Sequence, residues 1–289
     1  MRDLTDHFVE LIRWAATDLP PDVEQALVAA KEREDDGSAA ESALDMILRN
    51  VTLARAQSTP VCQDTGTPIF EIYHPLGVST SEIASYANRA CAVATERSYL
   101  RPNAVDSLTG KNSGNNTGID FPTLHFYEWG GDTIRAELLL KGGGSENVGA
   151  QYKLPDGKLN AGRDLEGVRK VVLDAVFQAQ GKGCAPGILG VCLGGDRGSG
   201  YVKAKQTLLR PLDDQNEDPT LAAFEQRLLD DVNQLDIGPM GFGGRTTVLG
   251  VKVAAQHRLP ACYFVSIAYM CWAARRAKMV IQDGEAVYE

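Results

Sequence analysis

Pro60-Val61-Cys62-Gln63-Asp64-Thr65-Gly66 sets a thiol, a carboxamide and a carboxylate side by side. Cys62 has the chemistry of a soft-metal ligand, Gln63 can donate to a substrate oxygen, and Asp64 can carry a proton. The Pro, Asp and Gly around them form turns readily, and a turn projects side chains into a cleft more easily than a strand does. The same seven residues also suit a plain turn with one buried cysteine. Two other segments bear on the choice: Gly183-Cys184-Ala185-Pro186-Gly187 and Tyr269-Met270-Cys271-Trp272. Three thiolates gathered by folding suit a soft metal centre. Three protein ligands also leave a fourth position open, which catalysis needs and a structural site does not. Buried cysteines otherwise behave as small hydrophobes. That is the reading for Cys91 in an Ala-rich helix, Cys262 in a strand, and Cys192 in the run Val191-Cys192-Leu193.

Lys141-Gly142-Gly143-Gly144-Ser145-Glu146-Asn147 is a glycine run at a strand end, followed by polar side chains. Successive backbone N–H groups there can form an anion nest, and Lys141 adds a positive charge; the alternative is a flexible loop. Gly181, Gly183 and Gly187 have the wrong spacing for a dinucleotide fingerprint and follow a helix instead of a strand. The sequence contains no C-x-x-C pair, so neither a zinc ribbon nor a thioredoxin motif has support.

The elements that must position these residues follow from periodicity. Residues 1–57 read as a helical segment: Leu4 to Ala16, with Phe8, Leu11, Ile12 and Ala15 at helical spacing, Asp22 to about Glu34 after Pro20-Pro21, and a third helix to about Ala56 with Ser38 and Glu41 as a capping box. Residues 58–289 read as mixed α/β. Thr67–Tyr73 suggests a strand, Ser81–Tyr99 a helix, and 103–119 a long polar loop of the kind that is functional or mobile. Phe121–Tyr127 and Thr133–Leu140 read as a hairpin around Gly130-Gly131. Leu165–Gln180 predicts a helix, Ile188–Leu193 a buried strand, Gly200–Leu209 and Pro219–Gln234 helices, and Thr246–Ala255 and Cys262–Ala268 strands. The expectation is a single α/β mixed domain, an N-terminal helical segment followed by interleaved helices and short strands forming two lobes around a cleft.

With 289 residues, 44% hydrophobic and 23% charged, the composition is that of a globular protein. A net charge of −9 argues against a nucleic-acid scaffold. No apolar run reaches the roughly 18–20 residues of a membrane span, and the acidic, polar start from Met1 to Asp6 has no signal-peptide core. The expectation is a cytoplasmic protein whose six cysteines are thiols or ligands and not disulfides.

The motifs around Cys62 and Lys141, with Gly-Cys184-Ala-Pro-Gly-Ile-Leu-Gly-Val-Cys-Leu-Gly-Gly, together resemble the iron–sulfur class I fumarases and L-tartrate dehydratases. The likeness runs in order from about residue 10 to 277 and corresponds to the N-terminal catalytic domain or α subunit. It implies a [4Fe–4S] cluster with one open iron, held by Cys62, Cys184 and Cys271. Cys271 is preferred to Cys262 because its spacing from Cys184 better resembles the family's and because it ends a strand, where a ligand can emerge.

The resemblance further implies reversible hydration of a C4 dicarboxylate, fumarate/malate first and tartrate/oxaloacetate second. Gln63 is expected to hydrogen-bond a substrate carboxylate, and Asp64 to assist proton transfer. Arg101 is expected to pair with a carboxylate in bidentate fashion, the Gly143 and Gly144 amides to receive the other carboxylate, and His257 to face the site. Arg101 and His257 also fit a plain surface position. Single-chain members continue with a second domain, so the expected partner is a separate β subunit in a hetero-oligomer. A thiol- or zinc-binding subunit without catalysis is the rival reading.

Overall fold

A computed structural model describes residues 3–289; Met1 and Arg2, the first two residues of the acidic, polar start, lie outside the described residues. In chain order the elements are α1 (Thr5–Thr17), α2 (Pro21–Arg33), α3 (Ala39–Gln57), β1 (Thr67–Pro75), α4 (Thr80–Glu96), β2 (Thr123–Trp129), β3 (Ile134–Lys141), α5 (Gly143–Asn147), β4 (Ala150–Lys153), α6 (Leu165–Ala179), β5 (Gly187–Leu193), α7 (Arg197–Thr207), α8 (Pro219–Asn233), β6 (Val248–Ala255), β7 (Phe264–Met270), β8 (Arg276–Gln282) and β9 (Glu285–Tyr288). The mixed α/β class expected from the sequence is the class observed. No helix among the described residues is long and apolar enough to cross a membrane.

The chain forms two compact units. The first comprises residues up to Pro20, Arg49–Gly143 and Ala273–Glu289; the second comprises Pro21–Leu48 and Gly144–Trp272.

In the first unit a five-stranded sheet runs β2-β1-β3-β8-β9. The stripe Phe8, Leu11, Ile12 and Ala15 of α1 is buried with Ile83, Ala87 and Ala90 of α4 against Phe70, Ile72, Leu138 and Met279 of the sheet. That is the amphipathic pattern of a helix covering one sheet face. The hairpin expected around Gly130-Gly131 is not formed. β1 pairs parallel to β2 and antiparallel to β3, and so lies between them. The chain does reverse after Trp129, as the glycines signal, but steps across one strand. Turn chemistry fixes the reversal and long-range packing fixes the neighbour.

In the second unit the order is β4-β7-β5-β6, with β5 parallel to β6 and antiparallel to β7. β5 is buried along its whole length, as a central strand between two covered faces must be. Val168, Val171, Val172 and Val176 of α6 pack with Phe224 and Leu228 of α8 on Leu189, Val191 and Val253.

Candidate active site

In the first unit the Cys62 turn is held from several sides. After α3 the chain reverses through Ser58, whose φ of 50° is left-handed. The Val61 N–H donates to Ala16 O at 2.9 Å, and Asn50 Nδ2 donates to Val61 O at 2.8 Å. With the preceding peptide clamped to α1 and α3, Cys62 and Asp64 sit half-buried and Gln63 is exposed. Asp64 Oδ1 accepts from Gly66 N at 3.2 Å, an Asx turn. Gly66 has φ +79°, and a Cβ there would lie 2.7 Å from Lys141 C, so only glycine fits.

Arg101 is brought to this turn by its backbone. Buried Thr65 accepts through Oγ1 from Arg101 N at 2.9 Å and from Asn103 Nδ2 at 3.1 Å. Fully buried Asn116 accepts from Asn103 N at 2.8 Å and donates to Arg101 O at 2.7 Å. The polar loop expected at 103–119 thus fastens the Arg101 peptide, and the guanidinium stays exposed, with Nη1 at 3.4 Å from Gln63 O.

The glycine run is ordered: Gly143–Asn147 form a short helix, with Gly143 and Gly144 exposed at its start. A Cβ on Gly142 would stand 3.0 Å from Asp64 Oδ2 and 3.4 Å from Arg275 Nη2. Arg275, which sequence reasoning missed, is 1% exposed, and its Nε and Nη1 have no hydrogen-bond partner. The signal for it was the pair Arg275-Arg276 between the small residues Ala273-Ala274 and Ala277, since a charge buried there needs a reason.

In the second unit the structure brings Cys184 and Cys271 together. Cys184 is half-buried and left-handed at φ 56°, before the cis Ala185-Pro186 bond. Its carbonyl accepts from Trp272 N at 3.2 Å. Cys262 is elsewhere. It is half-buried in the turn before β7, so the reading of it as a buried strand residue is corrected: β7 starts two residues later. It stands at the opposite end of β7 from Cys271. His257 lies exposed in the same β6–β7 loop, in a groove with Gln256, Arg258 and Cys262, and is not brought to Cys184 or Cys271. No group of three or more His, Cys, Asp or Glu among the described residues is arranged around a single metal ion.

The sequence model of the family described as fumarate hydratase (Fumerase) matches residues 5–280. This chain belongs to that family. The fumarase-family chain is 46% identical to a protein of Geobacillus stearothermophilus provisionally named fumarate hydratase class I, over 99% of this chain and 59% of that one. It therefore spans well under two thirds of that relative's length. It is 35% identical to a protein of Methanocaldococcus jannaschii provisionally named L(+)-tartrate dehydratase subunit alpha, over 95% of this chain and 96% of the other. The L(+)-tartrate dehydratase subunit alpha of Escherichia coli K12 is 28% identical over 96% of this chain and 90% of its own length.

None of the six cysteines of the fumarase-family chain forms a disulfide. Burial lifts the Cys91 thiol far above its ordinary value and pushes Cys192 up to about 11, Lys203 opposing in the second case. Both are inert core thiols, as the sequence suggested. Burial also raises the phenol of Tyr269, and the neighbouring Cys271 and Cys184 raise it further.

Proposed function

We propose that this chain is the α-type subunit of an iron–sulfur hydro-lyase that interconverts fumarate and malate, with a [4Fe–4S] cluster on Cys62, Cys184 and Cys271. The chemistry of the donors fits that group. None of the three cysteines is in a disulfide, and Cys184 and Cys271 sit on segments joined by a backbone hydrogen bond. In a four-iron cluster each thiolate binds its own iron, so the ligands need not surround one point as zinc ligands do. When bound, the cluster supplies an open iron that acts as Lewis acid on the substrate hydroxyl and adjacent carboxylate.

The carrying observation is the convergence of Gln63, Asp64 and Arg101 on one rigid turn beside Gly142 and Gly143. The Gln63 carboxamide donates to one substrate carboxylate. Arg101 pairs with a carboxylate through its fork. The Gly143 and Gly144 amides, exposed at the start of the short helix, receive the other. Asp64 takes or returns the proton at the neighbouring carbon, alone or by orienting a group of the partner. Arg275 steadies the Asp64 side of this arrangement.

Fumarate is favoured by the 46% relative. L-tartrate is the second reading, favoured by the two α subunits that match this chain nearly end to end. Those names also support a separate β subunit in a hetero-oligomer. We place the protein in the cytoplasm, where six cysteines outside any disulfide persist. Turnover of fumarate and of L-tartrate by the reconstituted chain with a candidate β subunit tests the assignment. Fumarate hydration exceeding tartrate dehydration is expected; the reverse order moves the chain to the second reading, and full activity without a partner removes the subunit assignment.

A further inference from the structure

Tyr269 is 2% exposed, and its hydroxyl has no hydrogen-bond partner. A buried hydroxyl without an acceptor is costly, of order 1–3 kcal/mol, and tyrosine keeps such an oxygen inside a core when something meets it. Phe would fill the same volume without that penalty.

The strand geometry shows where the oxygen lies. Tyr269 is the next-to-last residue of β7, and Cys271 directly follows the strand. Leu189 pairs with Tyr269 and Ile188 with Met270; Gly187 immediately precedes and Cys271 immediately follows that last pair in the chain. A Cβ on Gly187 would be 2.5 Å from Tyr269 Oη, and one on Gly183 would be 2.6 Å from its Cε1. The ring therefore lies across the Gly183–Gly187 turn, with its hydroxyl over Gly187 and with Cys184 and Cys271 as neighbours. The Cys184 carbonyl, hydrogen-bonded to Trp272 N at 3.2 Å, ties the two cysteine segments beside it. Any side chain at Gly183 or Gly187 would displace the phenol, which accounts for both glycines flanking Cys184.

We propose that Tyr269 is a positioning residue for the iron–sulfur cluster, its O–H donating a hydrogen bond to a sulfur of the cluster or of Cys184 or Cys271. The inference rests on the cluster reading above. It gives the unpartnered oxygen an acceptor that exists only in the loaded protein. Hydrogen bonds to cluster sulfurs draw charge from them and raise the reduction potential. Tyr269 thereby makes the cluster harder to oxidise, which protects an iron that has no protein ligand.

The test is Tyr269→Phe in the full chain, followed in both states. In the metal-free chain the variant should melt at the same temperature as wild type or higher, because the hydroxyl has no partner to lose. A clearly lower midpoint, or failure to fold, would mean that the hydroxyl serves a protein hydrogen bond, and would overturn the proposal. After anaerobic reconstitution the variant should hold wild-type iron and sulfide, have a lower reduction potential in an EPR-monitored titration, and lose iron faster in air. Its Fe–S stretches should also shift less between H2O and D2O. Equal potentials and equal isotope shifts with an intact cluster would refute the hydrogen bond while leaving the cluster reading in place. A wild-type chain that takes up no cluster would remove both.

Discussion

Asp64 and Arg275 face the same α-carbon: a Cβ on Gly142 would meet Asp64 Oδ2 at 3.0 Å and Arg275 Nη2 at 3.4 Å. One residue's lack of a side chain thus makes room for a carboxylate and a buried guanidinium to approach one strand end. An added methyl must push the carboxylate, which is the movable end. A displacement near 1 Å can cost about 10²-fold in rate. Gly142→Ala should therefore fold and keep its cluster while kcat falls by about that factor. Unchanged kcat would show that the Asp64 position does not matter to turnover.

Asp64→Asn keeps the shape and removes the charge. Turnover with the partner present should fall by about 10²-fold or more, with iron content unchanged. Arg275→Met tests the other side of Gly142. Two donors of Arg275 have no protein partner, and apolar replacement of poorly satisfied buried charge is often neutral or stabilising. The metal-free variant should melt no lower than wild type, kcat should drop about tenfold or more, and Arg275→Lys should recover part of the loss. A large fall in melting temperature would make Arg275 a structural ion instead.

The cysteines divide into two classes by the same logic. Cys62→Ser, Cys184→Ser and Cys271→Ser should each lose iron after reconstitution. Cys91→Ser and Cys262→Ser should keep it, and Cys192→Ser should cost about 1 kcal/mol of stability with its cluster intact. Iron retained by Cys271→Ser and lost by Cys262→Ser would reverse the third assignment, against the separation of the two residues along β7.

Most helices and central strands were legible because their periodicity is local: the stripe of α1, the valine face of α6 and the apolar run of β5 show in the residues themselves. Gly143–Asn147 did not read as a helix, since three glycines oppose one. β4 and β9 span four residues each, too few for a pattern. β8 opens with Arg276 and carries Lys278, so its buried face is masked in sequence. In the site, the Cys62 turn and the glycine run were visible as motifs. The roles of Thr65, Asn116 and Arg275 depend on residues far apart in the chain, which no local pattern records.

Acid should weaken the second unit through Asp214. Burial would raise its carboxyl, but Arg210, at 2.7 and 2.9 Å, and Lys252 outweigh burial and hold it below the ordinary 3.8. A carboxyl lowered on folding contributes stability that is present above its unfolded value and lost as pH falls through the folded one. Asp214→Asn should therefore melt lower than wild type at pH 7 and 5, with the gap closing below about pH 4. A gap that stays constant down to pH 3 would contradict this.

The proposed activity depends on the cluster, and anaerobic reconstitution of the purified chain with iron and sulfide measures it directly. Reconstitution should give a brown protein with about four irons and four sulfides per chain, dependent on Cys62, Cys184 and Cys271. A colourless protein that retains only zinc under those conditions would contradict it.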